Sequence, residues 1–310
     1  MSLPSSLIYR VHRQLRKLSH RLVGHTYDAK RDIVLVTGGC SGLGHHLVTE
    51  FAARGSRVVV LDVAEPRNPV RNVTYYRCDI GSMDNVLACH ERIKADIGIV
   101  TVLVNNAGIT GGQTVLDLSV ADIDKTVRVN LLLNFYTIKV FLPDMLKESR
   151  GYIVTIGSVL AYMLPARLSA YGASKAGLVA LHELLTYELG PPLVNLRGIK
   201  TLLVCPGHMK TDLFRGVRTP WSLVAPELEP AAVAQNVVHC LELGERGEIQ
   251  MPFYGKFLPV YRAIPWPVAE LARHLSGIDR SMRTFREAVS RMVSREASAA
   301  VSVRLARRCE

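Results

Sequence analysis

The sequence predicts an α/β fold, a doubly wound parallel sheet with helices on both faces and helical extensions at either end. Three observations predict it: short β-branched runs alternate with longer stretches of helical periodicity, a glycine-rich turn joins the first run to the first helix, and acids, amides or hydroxyls recur where the runs end. The 310 residues suffice for one large α/β domain with additions or for two small ones. We divide them into a basic amphipathic segment at 1–30, the doubly wound domain at 31–255, and a basic, partly hydrophobic extension at 256–310.

The first strand is the run Ile33, Val34, Leu35 and Val36, too short for a helix. It stops at Thr37-Gly38-Gly39-Cys40-Ser41-Gly42-Leu43-Gly44, after which Leu47, Val48, Phe51 and Ala52 follow at helical spacing. A second strand over 57–61 ends on Asp62. A pyrophosphate over the first turn of a helix meets unpaired N–H groups and the positive end of the helix dipole, provided no Cβ intervenes. Glycines at 38, 42 and 44 remove that Cβ. Asp62, 18 positions after Gly44, stands where a dinucleotide fold needs a carboxylate for the adenosine ribose. It would repel a 2′-phosphate, and the loop has no Arg or Lys to receive one, so NAD is expected, with NADP possible. A plain glycine-rich turn is the alternative; strand, helix, second strand and terminal acid together argue against it.

The third strand is read at 73–80, with Asp79 near its end, where a side chain can reach an adenine ring or equally serve the turn before the next helix, read at 83–97. A fourth strand at 100–104 runs into Asn105-Asn106-Ala107-Gly108, small and amide residues that let a backbone approach a ligand at the carboxyl edge. The helix expected over 121–141 carries Asn130 among apolar residues, by itself an ordinary core amide. The fifth strand, 151–158, ends on Ser158; 13 residues later Tyr171-Gly172-Ala173-Ser174-Lys175 opens a helix striped with Leu178, Leu181, Leu184 and Leu185. Tyr171 and Lys175 therefore share a helix face, one turn apart.

A free tyrosine titrates near ~10 and is a poor base at neutral pH. An adjacent ammonium, with a positive nicotinamide ring close by, would stabilise the phenolate; lowering its pKa toward ~7 takes roughly 4 kcal/mol. The phenolate could then take a substrate hydroxyl proton while hydride leaves to the cofactor, with Ser158 bonded to the same oxygen. A Tyr-xxx-Lys spacing alone is common on helices. The order glycine loop, acid, Asn-Asn-Ala-Gly, Ser, Tyr-xxx-Lys, each at a strand end, is not.

The formal charge of +11 is unevenly placed: residues 1–31 hold seven Lys/Arg against one Asp, residues 256–310 hold eleven against five acids, and the remainder holds twenty against twenty-one. A nucleic-acid reader carries its charge on the folded face, so no nucleic-acid partner is expected, and the tails face an anionic membrane or solvent. In residues 1–27, Leu3, Leu7, Val11, Leu15, Leu18 and Leu22 alternate with Arg10, Arg13, Arg16, Lys17 and Arg21, a basic amphipathic pattern broken too often to span a bilayer. An interfacial anchor, a mitochondrial presequence and a helix packed on its own domain all fit it. The six cysteines, at 40, 78, 89, 205, 240 and 309, lack metal spacing and read as reduced thiols; no metal is expected.

From Ile33 to about Asp212 the sequence resembles the short-chain dehydrogenase/reductase family: Thr37, Gly38, Gly42 and Gly44 match its Thr-Gly-xxx-Gly-x-Gly pattern, and Asn-Asn-Ala-Gly is complete. The resemblance implies a Rossmann fold, a nicotinamide cofactor and a catalytic tetrad of Asn130, Ser158, Tyr171 and Lys175, with the asparagine keeping a water in the proton path. It implies cofactor contacts from Thr37, Gly38, Ser41, Gly42, Leu43, Gly44, Asp62, Asp79, Ile80, Asn106, Ala107, Gly108, Tyr171, Lys175, Pro206, Gly207 and Thr211, and a homodimer. Leu213, Phe214, Val217, Trp221, Leu223 and Val224 form an apolar flap where that family varies its substrate loop. Residues 257–268 and 275–282 resemble the extension of a subgroup acting on retinoids, steroids and other lipid alcohols at endoplasmic reticulum membrane or lipid droplets; Trp266 between two prolines suits an interfacial segment or a strap over the pocket. Residues 283–310 are expected to form a solvated, fraying helix.

The expected function is thus hydride transfer between NAD and a lipophilic alcohol or carbonyl, at a cytosol-facing endoplasmic reticulum or lipid-droplet surface, or alternatively in the mitochondrion. The alternative is a lipid-droplet or membrane protein of the same fold that binds without catalysing; the complete tetrad counts against it.

Overall fold

Short β-branched runs lose little side-chain freedom when extended and pack well on a pleated surface. In the computed structural model, which describes residues 24–190, 198–214, 216–217 and 225–279, such runs form β1 (Ile33–Thr37), β2 (Arg57–Asp62), β3 (Val73–Arg77), β4 (Val102–Asn105), β5 (Tyr152–Ile156), β6 (Lys200–Pro206) and β7 (Gly247–Met251). They pair in the order β3-β2-β1-β4-β5-β6-β7, every neighbour parallel. The helices are α1 (Gly42–Ala53), α2 (Met83–Asp96), α3 (Val120–Val127), α4 (Leu133–Lys147), α5 (Ser169–Glu188), α6 (Pro230–Glu242), α7 (Leu258–Tyr261) and α8 (Trp266–Ser276).

Strands covered on both faces need apolar residues at every position, which is why β1 and β4 read as unbroken runs. On one face Val34, Val36, Val60 and Val104 pack under Leu47 and Phe51 of α1 and Val233 and Val237 of α6. On the other, Ile33, Leu35, Val59 and Leu103 meet Val86 and Ile93 of α2, Leu133 and Phe141 of α4 and Leu185 of α5. Thr37, Asp62, Asn105, Ile156 and Pro206 end their strands at one edge. Because β1 lies between β2 and β4, the chain leaves that edge in opposite directions and opens a crevice above it.

Two expected elements differ. The third strand ends at Arg77, and the stretch beyond turns toward α2. The helix expected over 121–141 is two helices joined by a π-turn at Arg128–Leu132, the second running on to Lys147. An extra residue in a turn is stable where a side chain takes up the displaced backbone group, and here Asn134 Nδ2 donates to the Asn130 carbonyl at 3.0 Å. At the opposite edge of the sheet, Arg150 pairs with buried Asp32 at 2.8 Å and donates to the Thr26 carbonyl at 2.9 Å, while Lys200 donates to those of His25 and Gly244. The basic pattern at 1–23, the residues Trp221, Leu223 and Val224, and the expected helix at 283–310 lie outside the described residues.

Candidate active site

The glycine loop is a close-packed object before it is a binding surface. Gly38 and Gly42 have φ of 65° and 52°, a region glycine enters without strain. A Cβ on Gly44 would stand 2.0 Å from the Gly38 carbonyl oxygen. The Asn106 amide explains the closeness: Nδ2 donates to the carbonyls of Thr37 at 3.0 Å and Gly38 at 3.1 Å. In return Thr37 Oγ1 accepts the N–H groups of Asn106 at 3.0 Å and Ala107 at 3.2 Å. Two motifs 69 residues apart are thereby stitched into one cradle. Ser41 precedes α1 without capping it by its side chain, so the first-turn N–H groups beside Ser41, Gly42, Leu43 and Gly44 are left for a ligand in the cavity that these residues line. That is the donor set a pyrophosphate needs.

The cavity measures about 650 Å³ and continues past Asn106, Ala107 and Gly108 to Ser158, Tyr171 and Lys175, with Pro206, Gly207 and Thr211 on its far wall. Its lining also includes Met209, Leu213, Phe214 and Val217, interleaved with the polar Lys210, Asp212 and Glu227. Tyr171 is only 4% exposed, with the Phe214 ring edge-on to it at 5.4 Å.

Lys175 follows Tyr171 by one turn of α5; its Nζ lies 5.9 Å from the Tyr171 ring centroid and donates to the Ile156 carbonyl at 2.7 Å. Ser158 lines the cavity with Tyr171, and its Oγ accepts the Leu160 N–H at 3.1 Å. The helix spacing predicts a phenol lowered by the ammonium together with a bound nicotinamide ring, and the structure describes the site without that ring. Here burial dominates: it pushes the Tyr171 phenol up to about 12, against a smaller opposing effect of nearby Ser158, and pushes the Lys175 ammonium down to about 8. Both groups are cut off from water, which disfavours their charged forms, and a cationic ring in the same cavity would favour the phenolate.

Asn130 does not line the cavity. Its Oδ1 accepts the Ile109 N–H at 2.8 Å, and its Nδ2 donates to the Ile109 carbonyl at 2.9 Å and to Ser174 Oγ at 3.1 Å. It thus ties the irregular segment following Asn-Asn-Ala-Gly to the helix of Tyr171. Thr37 likewise acts from behind the loop, fully buried. Asp62 sits at the loop's flank, with Oδ2 accepting the Cys40 N–H and Oδ1 the Ala64 N–H, each at 3.0 Å. Asp79 takes the turn role, its Oδ1 accepting the Gly81 N–H at 3.0 Å, and it lines a separate cavity of about 410 Å³ with Val63, Arg77 and Arg92. Ile80 is buried in the core beneath α2. Sequence reasoning missed the Ile156 carbonyl, Ile109 and Ser174 as partners, and Met209 and Glu227 as lining residues. Ser174 had a local signal, three positions after Tyr171; the others had none. Among the described residues there is no cluster able to hold a metal.

Residues 32–220 match the short chain dehydrogenase family. An uncharacterized oxidoreductase of Saccharomyces cerevisiae is 32% identical over 84% of this chain and 87% of its own length. The human protein named short-chain dehydrogenase/reductase 3 is 33% identical over 84% of this chain and 88% of its own, and human retinol dehydrogenase 10 is 35% identical over 68% and 70%. Among solved structures, ligand-free aldohexose dehydrogenase of Thermoplasma acidophilum superposes with a TM-score of 0.65 at 26% identity, over 73% of this chain and 94% of that one.

Proposed function

The chain belongs to the short-chain dehydrogenase/reductase family and is a nicotinamide-dependent oxidoreductase acting on CH–OH groups, and on that premise we propose that it interconverts a lipophilic alcohol and its carbonyl with NAD. One observation carries the substrate class: Leu160, Leu168, Phe214 and Val217 pack together with Tyr171, so the surface beside the phenol is apolar. A polar substrate would leave its hydroxyls unpaired there, whereas an aliphatic or polyene body gains by burial. The relative named for retinol supports the same class. Asp62 at the flank of the glycine loop supports NAD, because its carboxylate opposes a 2′-phosphate.

The residues divide the work as follows. A bound nicotinamide supplies the hydride acceptor and a positive charge near the phenol. Tyr171 exchanges the proton of the substrate oxygen, and Ser158 hydrogen-bonds that oxygen. Lys175 offsets the phenolate when oxidation requires it, and Asn130 holds Ile109 and Ser174 so that the two walls keep their spacing. Phe214 shields the proton-transfer site from water.

Exposed Trp266, Val268, Leu271 and Leu275 of α8, in an extension of net basic charge, support attachment to an anionic lipid surface, on the cytosolic side of endoplasmic reticulum or a lipid droplet, with the mitochondrion as the alternative. Among the described residues no helix is long and apolar enough to cross a membrane, so attachment there would be peripheral. Exposed Phe135 on α4 and Leu184 and Tyr187 on α5 support a homodimer through those helices.

The test is a panel of retinoids, sterols, long-chain alcohols and their carbonyls with NAD and NADP, followed at the reduced-nicotinamide absorbance. Turnover of at least one lipophilic pair with NAD is expected, and Tyr171→Phe should lower it on the order of 10³-fold while leaving NADH binding intact. Retained turnover in that variant would overturn the role given to Tyr171.

A further inference from the structure

Ser158 stands two residues past the end of β5 and Tyr171 in the first turn of α5, so the segment between them fixes how their hydroxyls meet. That segment has little structure of its own: a 3-10 turn at Val159–Ala161, then irregular backbone in which Arg167 has a φ of 71°. Loop backbone of this kind depends on outside partners for its carbonyls and N–H groups.

The partners come from far along the chain, from residues 262–279. Arg262 donates Nη2 to the Ala161 carbonyl at 2.7 Å and Nε to that of Tyr162 at 3.4 Å. Arg273, on α8, donates Nη1 to the Leu164 carbonyl at 2.5 Å. It also grips Asp279 with two bonds, Nε to Oδ2 at 2.9 Å and Nη2 to Oδ1 at 2.7 Å. Asp279 Oδ1 in turn accepts the Ala166 N–H at 2.7 Å. Three ionised side chains thus meet four backbone groups within residues 161–166, and bonds of that kind exceed neutral ones in strength. The contact reaches the reacting groups by a short route. The Leu164 side chain lies where a Cβ on Gly172 would stand, 2.0 Å from Cδ2, and Gly172 adjoins Tyr171. From the other side, the Tyr162 hydroxyl donates to Glu248 on β7.

The geometry points to Arg262, Arg273 and Asp279 as positioning residues: through 161–166 they set the Ser158–Tyr171 geometry and the apolar wall beside it, so the C-terminal strap completes the active site. An isolated ion pair at the surface contributes little, but here both partners of the Arg273–Asp279 pair also bond the loop, and loosening it shifts Leu164 against Gly172. This assignment rests on the oxidoreductase reading above for its kinetic consequence and on the hydrogen bonds alone for its structural one.

The experiment uses the full chain and its Arg262→Ala, Arg262→Lys and Arg273→Ala variants, with the best lipophilic alcohol from the panel and with hydrogen–deuterium exchange read at residues 159–167. Arg262 is exposed, so its replacement leaves the core intact. Each alanine variant should lose about tenfold in kcat, a cost typical of slightly misplaced reacting groups, with NADH affinity unchanged. Arg262→Lys, which keeps one donor, should recover part of the loss, and exchange at 159–167 should quicken in both alanine variants. Wild-type kcat in both, or unaltered exchange, would overturn the assignment. If the unaltered chain turns over nothing in the panel, the substrate reading falls, and exchange at 159–167 alone decides whether the strap holds the segment.

Discussion

Asp62 asks two things of one carboxylate. Its oxygens already accept the N–H groups of Cys40 and Ala64, which pins the glycine loop to the end of β2, and the same oxygens are the acceptors proposed for the ribose. Removing it should therefore cost more than a ribose contact. In Asp62→Ala the dissociation constant for NADH, measured by fluorescence titration, should rise about tenfold to a hundredfold, the span of a charged hydrogen bond, while that for NADPH rises less. Equal losses for both would mean that the carboxylate acts only on the loop. Tyr171 shows the limit of reasoning from a residue pair. Spacing places Lys175 on its face of the helix, but whether charge or burial governs the phenol depends on everything else in contact with it, including Phe214 and Ser158.

At the scale of elements, the interruption between α3 and α4 is the informative departure. A continuous helix would carry Asn130 on a regular turn; the π-turn buries it where both its amide atoms reach Ile109. Apolar periodicity continues through such a turn with barely a break, so the pattern of Val127, Val129 and Leu131 to Leu133 conceals it. Two other elements carry a pH dependence. His182 on α5, close to the Gly247 backbone, and His25, bonded to the Gly151 carbonyl at 3.1 Å, are both lowered from 6.5 to about 4 by burial. Unfolding lets each take up a proton anywhere between those values, so the unfolded chain binds more protons in that window. Their contribution to stability should be complete above about 6.5 and fall as pH drops through 4. The urea midpoint should be lower at pH 5 than at pH 7, and His182→Gln should reduce that difference; an undiminished difference would assign it to other groups.

For the molecule as a whole, the distribution of exposed apolar residues matters more than their number. Trp266, at the start of α8, is 80% exposed, and Val268, Leu271 and Leu275 lie exposed along one side of the helix, while Ala269 is buried. The full chain should float with anionic phospholipid vesicles, and Trp266→Ser with Leu271→Ser should weaken partitioning about a hundredfold or more, as expected for two large side chains withdrawn from an apolar phase. Unchanged flotation would move the lipid contact to the N-terminal segment or the far C-terminus. The strap that bears this stripe also holds 161–166, so lipid contact and active-site geometry meet in one segment.

How much of this was legible in the chain follows from how local each signal is. The glycine loop, Asp62, Asn-Asn-Ala-Gly, Ser158 and the Tyr171–Lys175 pair were readable because each depends on a strand end or a helical turn, and both obey fixed periods of a few residues. The stitching of Asn106 to Thr37, the placing of Phe214 over Tyr171, the burial that shifts both ionisable groups, and the grip of Arg262, Arg273 and Asp279 were decided only on folding. Those contacts join residues up to 113 positions apart. No periodicity spans such a distance, and burial is a property of every neighbour at once.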